Sequence, residues 1–427
     1  MPESRSFASY FGGIGRALSA PDYRTYWYSH VVSSHGVWIY RMAVGVLIFQ
    51  LTHSPAWLGF IAFVYSVPLM ILGPIAGAVG DRFGVRRTAI TGLAIGALVC
   101  FLMTYLTFAG LITPLVLSVH VVLLGAMHAF DFPARMALIP QMVGRERISA
   151  AVALNSTTFN TSSFTGPMIG AALLAFGKVH LGDAAPAVAF LAYAVSMVWL
   201  LTAILRIKIR DAPSVGGTFA TLMADIRGGI SYTFRHKGIR QSLIFYFCVS
   251  FLVKSYLDLL PGYALDIFDR GETGLGTLMS ASGLGALFLS VAVALRGRTQ
   301  GTTLIMIAAS LVASIALALF TLTGDFLLAT AIIAIVGGFL VAANICSQTL
   351  VQNATDGVYR GRVVSIYLAL IVGAQALGAQ TLGLIAEFTG FRISMGGAAV
   401  LALILVVAMV PSLWRQRLVM EAEDAGG

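Results

Sequence analysis

Residues 155–170 read NSTTFNTSSFTGPMIG, a run of small hydroxyl and amide side chains that carries no charge and ends in Gly-Pro-Met-Ile-Gly. In a water-soluble chain such a run reads as a loop or linker. Its setting argues against that. The chain has 427 residues, of which 58% are hydrophobic and 11% charged, whereas soluble domains carry about 25% charged residues. Mean hydropathy is +0.88. Apolar stretches of about 20 residues, enough to cross a bilayer core as helices, recur along the whole sequence. The stretch therefore either links two bodies or forms the polar interior of something embedded in lipid.

Working outward from it, apolar segments bounded by turn residues give twelve spans, at roughly 25–51, 57–79, 88–109, 114–139, 149–176, 187–206, 240–264, 274–295, 302–322, 326–351, 363–386 and 393–413. The expected organisation is a cytoplasmic N-terminal segment at 1–24, a six-helix bundle at 25–206, a cytoplasmic linker at 207–239, a second six-helix bundle at 240–413 and a cytoplasmic tail at 414–427. The fold class is all-α integral membrane. The opening MPESRSFASYFGGIGRALSAPDYR has no continuous apolar core, so a cleaved signal peptide is not expected. Cys100, Cys248 and Cys346 all lie inside apolar segments, with no metal-binding spacing and no disulfide framework.

The net charge of +9 raises the possibility of a nucleic-acid partner, but its distribution removes the need for one. With the N-terminus in the cytoplasm, twenty-two Lys and Arg fall on the inner side and only Lys178, Arg270 and Arg392 on the outer, with Arg41 and Lys254 inside spans. A bias of this size orients a membrane protein. The expected location is a bacterial cytoplasmic membrane, crossed many times, with both termini in the cytoplasm and the lipid bilayer as solvent. In the linker, Phe219, Leu222, Met223, Ile226 and Ile230 recur at helical spacing, with Asp225 and Arg227 off that face. Such a helix lies on the inner membrane surface or packs on the protein's own cytoplasmic face, and the sequence leaves both open.

The halves repeat one plan at an offset of about 213 residues: Arg41 meets Lys254, Arg145-Glu-Arg147 meets Arg360-Gly-Arg362, and DRFGVRR after span two meets LRGRT after span eight. The turn GAVGDRFGVRR at 77–87 resembles the loop signature of the major facilitator superfamily. AFDFPARMALIPQMV at 129–143, YRGRVVSIYLAL at 359–370 and LLPGYALDIF at 259–268 resemble its branch of enterobactin exporters and related effluxers. The resemblance implies two pseudo-symmetric six-helix bundles. It also implies an inner-gate latch: Gly77, Asp81, Arg82, Gly84 and Arg86 in the turn, with Arg360 and Arg362 at the start of span eleven. Physically, glycines allow a tight turn, and a carboxylate suits a helix N-terminus. Val293 stands opposite Asp81 in the second half, so the latch is one-sided.

The opening stretch then falls in span five, between Arg147 and Lys178. Small hydroxyl residues let helices approach closely in lipid and hydrogen-bond across the interface. Gly166, Pro167 and Gly170 resemble the Gly-Pro-x-x-Gly signature of superfamily antiporters, with Ala171 in place of the usual second glycine. This implies export. Asn155-Ser-Thr matches a glycosylation sequon by chance.

The superfamily lines its cavity with spans 1, 4, 7 and 10. Taken at 100° per residue, each of these spans carries a polar stripe. Tyr26, His30, Ser33, Ser34 and Arg41 share a face of span one, while His35 does not. His120, His128, Asp131 and Arg135 fall together in span four. Tyr246, Ser250, Lys254 and Asp258 follow at steps of four in span seven. Asn344, Ser347, Gln348 and Gln352 do so in span ten. The substrate-cavity candidates are Tyr26, His30, Ser34, Arg41, His120, Lys254, Asp258, Asn344 and Gln348. A charge at the bilayer centre costs about 2.5–3.5 kcal/mol on insertion scales, so Arg41 and Lys254 read as a positive floor for an anionic or polar substrate. The competing reading is structural pairing at i, i+4, for Lys254 with Asp258 and for Asp131 with Arg135. Span one has no acidic residue, so a coupling proton would ride on Asp131, Asp258 or His120.

No zinc-protease, serine-hydrolase or P-loop signature occurs, so the expectation is neither an enzyme nor an ATP-driven pump, with no catalytic residues, metal or cofactor. The reading is a monomeric secondary transporter exporting a small organic molecule (siderophore, drug or metabolite) by alternating access and proton antiport. The alternative is a transporter-like sensor or assembly factor with no transport of its own.

Overall fold

The computed structural model describes residues 12–207, 219–357 and 359–422. Among these the chain is helical throughout, and twelve helices are long and apolar enough to cross a membrane. They are α1 (Pro21–Thr52), α2 (Pro55–Phe83), α3 (Val85–Phe108), α4 (Pro114–Val143), α5 (Ile148–Leu181) and α6 (Pro186–Arg206), then α7 (Lys237–Ile267), α8 (Gly271–Arg296), α9 (Thr302–Leu322), α10 (Phe326–Asn353), α11 (Arg360–Thr389) and α12 (Phe391–Met420). A helix satisfies its backbone groups internally, as hydrocarbon requires. The surface agrees: Leu98, Leu115, Leu295, Leu327 and Phe388 are exposed, Phe388 at 88%. Large apolar side chains spread this widely over an exterior mean that the exterior faces acyl chains rather than water.

Local chemistry sets the helix ends. Thr113 accepts from the Val116 N–H and Pro114 opens α4, while Asp325 accepts from the Leu328 N–H to open α10. Gly84 is the single residue between α2 and α3, with φ +95°, a conformation a side chain would strain. Compared with the expected segments, α1 starts inside 1–24 and α12 runs on into 414–427.

Two compact units emerge, one of residues 1–44 and 67–217, the other of 45–66 and 218–427. This division differs from the expected bundles at 25–206 and 240–413, because the end of α1 and the start of α2 group with the second unit. In the first unit, α3 packs between α4 and α6. In the second, α10 packs on α8 and α9, α9 on α12, and α11 along the middle of α7.

The middle of α7 overturns one expectation. Residues Ser250–Lys254 wind as a π-helix, as do Tyr263–Ile267. A π turn adds a residue per turn, so the steps-of-four stripe does not hold. Tyr246 and Ser250 turn inward, donating to the Leu340 and Ile371 carbonyls, while Lys254 and Asp258 stay partly exposed. Ser255 follows Ser250 in binding α11, donating to the Gln375 carbonyl at 3.0 Å.

The linker helix Phe219–Arg235 uses two faces. Gly229 and Thr233 are buried, and Gly229 faces Arg362 and Ile366 on α11. Tyr232 stacks on Tyr359 at 4.5 Å, and its hydroxyl oxygen accepts from the Asp356 N–H; burial pushes its phenol up. Ile230 and Phe234 point away from the protein. The side chains of Phe219, Leu222, Met223, Asp225 and Ile226 lie outside the described residues.

Beyond α12 the chain folds back. Glu421 accepts from the Gly301 N–H at 2.6 Å and the Thr303 N–H at 2.8 Å, and Asn353 holds the Met420 and Ala422 carbonyls. Burial alone would raise the Glu421 carboxyl. These two N–H groups and Arg296 outweigh it, so the carboxyl sits below its ordinary value of 4.5. A depressed acid stabilises the fold while ionised. Its contribution is complete at neutral pH and fades as pH falls past 4.5 through the depressed value. Protection of the Gly301 and Thr303 amides, measured as exchange relative to the intrinsic rate at each pH, is therefore expected to be lost over that acid window, so that exchange quickens against that reference. Glu421→Gln should quicken it at neutral pH, and equal exchange in variant and wild type would remove the clamp.

Candidate functional site

The polar run that reads as a linker in isolation is one side of a seam inside the first unit. Tyr23 donates to the Ala151 carbonyl at 2.9 Å and to Asn155 Oδ1 at 3.0 Å. The Trp27 indole donates to Thr158 Oγ1 at 3.0 Å. The His35 ring nitrogens lie 3.1 Å from Ser162 Oγ and 2.8 Å from Thr165 Oγ1. Further along, Gly166 meets Trp38 and His35, and Gly170 meets Met42 and Ile39. One face of α1 thus reads α5 rung by rung. Tyr23, Trp27 and His35 were not among the candidates. Their signal is i, i+4 spacing along α1 opposite a hydroxyl-rich partner, visible only once α1 and α5 are known to pair.

A second face of α1 meets a buried charge pair. Arg135 Nε donates to Asp131 Oδ2 at 2.8 Å, with the residues 7% and 1% exposed. Asp131 Oδ1 finds no protein partner among the described residues. Tyr26 stacks on His30 at 5.5 Å, and both sit within the field of Arg135. His128 Nε2 lies 2.7 Å from the Tyr193 hydroxyl of α6. The aromatic layer of Tyr40, Tyr193 and Phe190 continues the cluster and encloses His120. Tyr26, His30, Ser34 and His120 are all buried in this unit. Arg41 is less so, with its guanidinium 5.3 Å above Trp38.

In the second unit the Asp258 carboxylate accepts from the Gln375 amide of α11 at 2.8 Å. Gln375 is a residue the sequence stripes missed, because it lies outside spans 1, 4, 7 and 10. Tyr367 donates to Asn344 Oδ1 at 3.1 Å and stacks on Tyr246. Lys254, Asp258, Asn344 and Gln348 are half-buried.

The expected latch residues are described each within its own unit. Arg86 caps the end of α6, its guanidinium donating to the Ile204 and Leu205 carbonyls, as cations do at helix C-termini. Arg82 lies over Phe83. Arg360 opens α11, and Arg362 lies over Tyr359 against the linker helix. The surroundings of Gly77 and Asp81 lie outside the described residues. No group of three or more His, Cys, Asp or Glu able to hold a metal ion occurs among the described residues.

Comparison with known proteins agrees with this architecture. A major facilitator family model, described as transmembrane secretion effector, matches residues 16–425. The staphyloferrin A transporter of Staphylococcus aureus is 23% identical over 356 residues, 83% of this chain and 87% of its own. The enterobactin exporter of Shigella dysenteriae is 24% identical over 374 residues, 85% of each chain. The solved nucleoside transporter NupG superposes with a TM-score of 0.72 at 13% identity, over 91% of this chain and 99% of its own. A bacterial homolog of the human lysosomal transporter Spinster gives 0.69 at 16%, over 95% and 99%. At such identities the solved structures speak for the fold alone. The family match spans nearly the whole chain and carries the assignment: this is a multi-pass membrane transporter of the major facilitator superfamily, in its family of transmembrane secretion effectors.

Proposed function

We propose that the chain exports a small organic molecule of the siderophore, drug or metabolite class by alternating access, in exchange for protons. The observation that carries the reading is the Asp131–Arg135 pair. An ion pair buried this deeply in the protein is costly and contributes little to stability, so its presence argues for a role in turnover. Asp131 has a second oxygen with no protein partner among the described residues, and Tyr26, His30 and the His128–Tyr193 pair stand around it. Protonating Asp131 uncouples it from Arg135 and releases a cation, and deprotonation restores the pair. His120 is walled in by aromatics and Asp258 is engaged by Gln375, which favours Asp131 as carrier.

Relatives named for staphyloferrin A and enterobactin support a siderophore-like substrate. Arg41 in the first unit and Lys254 in the second favour an anionic one, with Asp258, Asn344, Gln348 and Gln375 as polar contacts. From the excess of Lys and Arg in the sequence, we read the ends of the spans that carry Arg82 and Arg86 in the first unit and Arg360 in the second as cytoplasmic, with both termini there, and the transporter as monomeric in a bacterial inner membrane.

The test has two arms. Accumulation of a compound panel is compared in cells with and without the gene, and again with Arg41→Ala. The purified protein is then placed in vesicles, and transport of any compound so found is driven by an imposed pH gradient. Wild type should respond to the gradient, whereas Asp131→Asn should exchange substrate without responding. A wild type indifferent to the gradient, or an Asp131→Asn variant as responsive as wild type, would overturn proton coupling through this residue.

A further inference from the structure

The start of α2 and the end of α11 meet in the second unit, at the end of α11 opposite the one that carries Arg360 and Arg362. Glu387 Oε2 accepts from Ser54 Oγ at 2.6 Å and from the Ala56 N–H at 3.2 Å. Ser54 Oγ in turn accepts from the Trp57 N–H at 3.4 Å. One carboxylate on the last turn of α11 therefore binds both the capping hydroxyl and a free N–H of α2's first turn. Ser54 is buried although Glu387 reaches it from an exposed position. One turn and two turns back from Glu387 lie Gly383 and Ala379. A Cβ on Gly383 would come within 2.5 Å of the Pro55 carbonyl, and one on Gly59 within 2.8 Å of Gln380 Cα. Nothing larger than hydrogen lets these two backbones lie so close. Beside this crossing, Gln50 donates to Glu272 at 2.9 Å, tying α1 to α8.

We infer that Glu387 is the gating residue that holds the outer side shut, binding the N-terminus of α2 in the closed state and letting it go when the transporter opens outward. This rests on the alternating-access reading above. The first turn of a helix offers unsatisfied N–H groups and partial positive charge, and a charged acceptor binds such donors about twice as strongly as a neutral one. The bond spans two different helices, so it is lost whenever they part, and it therefore weighs only on the closed state. The glycine crossing supplies the close fit but no charge. Glu387 supplies a contact that a single substitution can remove without touching that fit.

Alternating access requires that the outer contact yield in each cycle. Its strength therefore sets how much of the population rests outward-closed.

The test reads distance rather than transport. In a background with Cys100, Cys248 and Cys346 replaced by Ser, spin labels are attached through Leu51→Cys and Phe388→Cys. Pulsed dipolar spectroscopy then measures their separation in the otherwise full-length protein. A charge-assisted hydrogen bond is worth enough to change a two-state ratio about tenfold. Glu387→Ala is accordingly expected to raise the long-distance population about tenfold over wild type, and Glu387→Gln to raise it less. Adding Ser54→Ala to Glu387→Ala should change little, since the bond is already gone. Glu387→Gln keeps the side chain's volume and serves if the alanine variant does not fold. Distances unchanged in both Glu387 variants would overturn the gate. A shift in distance without any compound being exported would leave the gate standing and remove the export reading instead.

Discussion

Arg135→Leu should destabilise the first unit more than any other single change in its polar interior, by about 3–5 kcal/mol. The arginine holds Asp131 Oδ2 at 2.8 Å in a site where the carboxylate is 1% exposed. Removing it leaves a buried charge with no cation beside it, and the carboxylate must then take up a proton or draw in water. Replacing both partners is expected to cost far less, because neither charge then needs a counterpart. The ordering of thermal unfolding in detergent should be wild type, then Asp131→Asn/Arg135→Leu, then Arg135→Leu at the lowest temperature. The double variant also separates stability from coupling: it should fold yet show no response to a pH gradient. If Arg135→Leu unfolded at the wild-type temperature, water must reach the pair, and the cost of burying it could no longer argue for a role in turnover.

The sequence made some of this legible and hid the rest for identifiable reasons. Twelve spans follow from hydropathy because lipid admits few alternatives to an apolar helix. Asp131 and Arg135 are readable as a pair because i, i+4 spacing brings them together within one helix, whatever else the fold does. Contacts between helices are less accessible. The hydroxyl run at 155–165 announces a close interface but not its partner. Tyr23 and Trp27 look like ordinary aromatic residues near a span end until α1 lies against α5. His35 falls off the polar stripe of span one because it belongs to that other face. The π turn at Ser250–Lys254 leaves no mark in local composition. It takes hydroxyls donating to α11 carbonyls to stabilise it, and these are distant in sequence. Gln375 was missed for the same reason: its meaning depends on facing Asp258. Glu387 and Ser54 are 333 residues apart, and neither belongs to a motif.

The α1–α5 seam makes the second large prediction, at Gly166. A Cβ placed there would sit 2.7 Å from Trp38 Cβ, 3.4 Å from Trp38 Cγ and 3.5 Å from the His35 carbonyl. Gly166→Leu puts four carbons where even one does not fit. Overpacking of this kind costs about 1–3 kcal/mol, and prising α1 away also stretches the His35 contacts to Ser162 and Thr165, each worth about 0.6 kcal/mol in membrane proteins. Gly170 is a graded control. Its nearest neighbour is Met42 Sδ at 3.2 Å, the flexible end of a side chain that can turn aside. Gly170→Ala should therefore be tolerated, Gly166→Ala should lower the unfolding temperature, and Gly166→Leu should lower it most. Trp38→Ala in the Gly166→Leu background should recover part of the loss by vacating the space the leucine needs. That rescue distinguishes a steric clash at the seam from a general dislike of leucine in α5. If Trp38→Ala only added its own destabilisation, Gly166 would be serving the bend at Pro167 rather than the approach of the two helices.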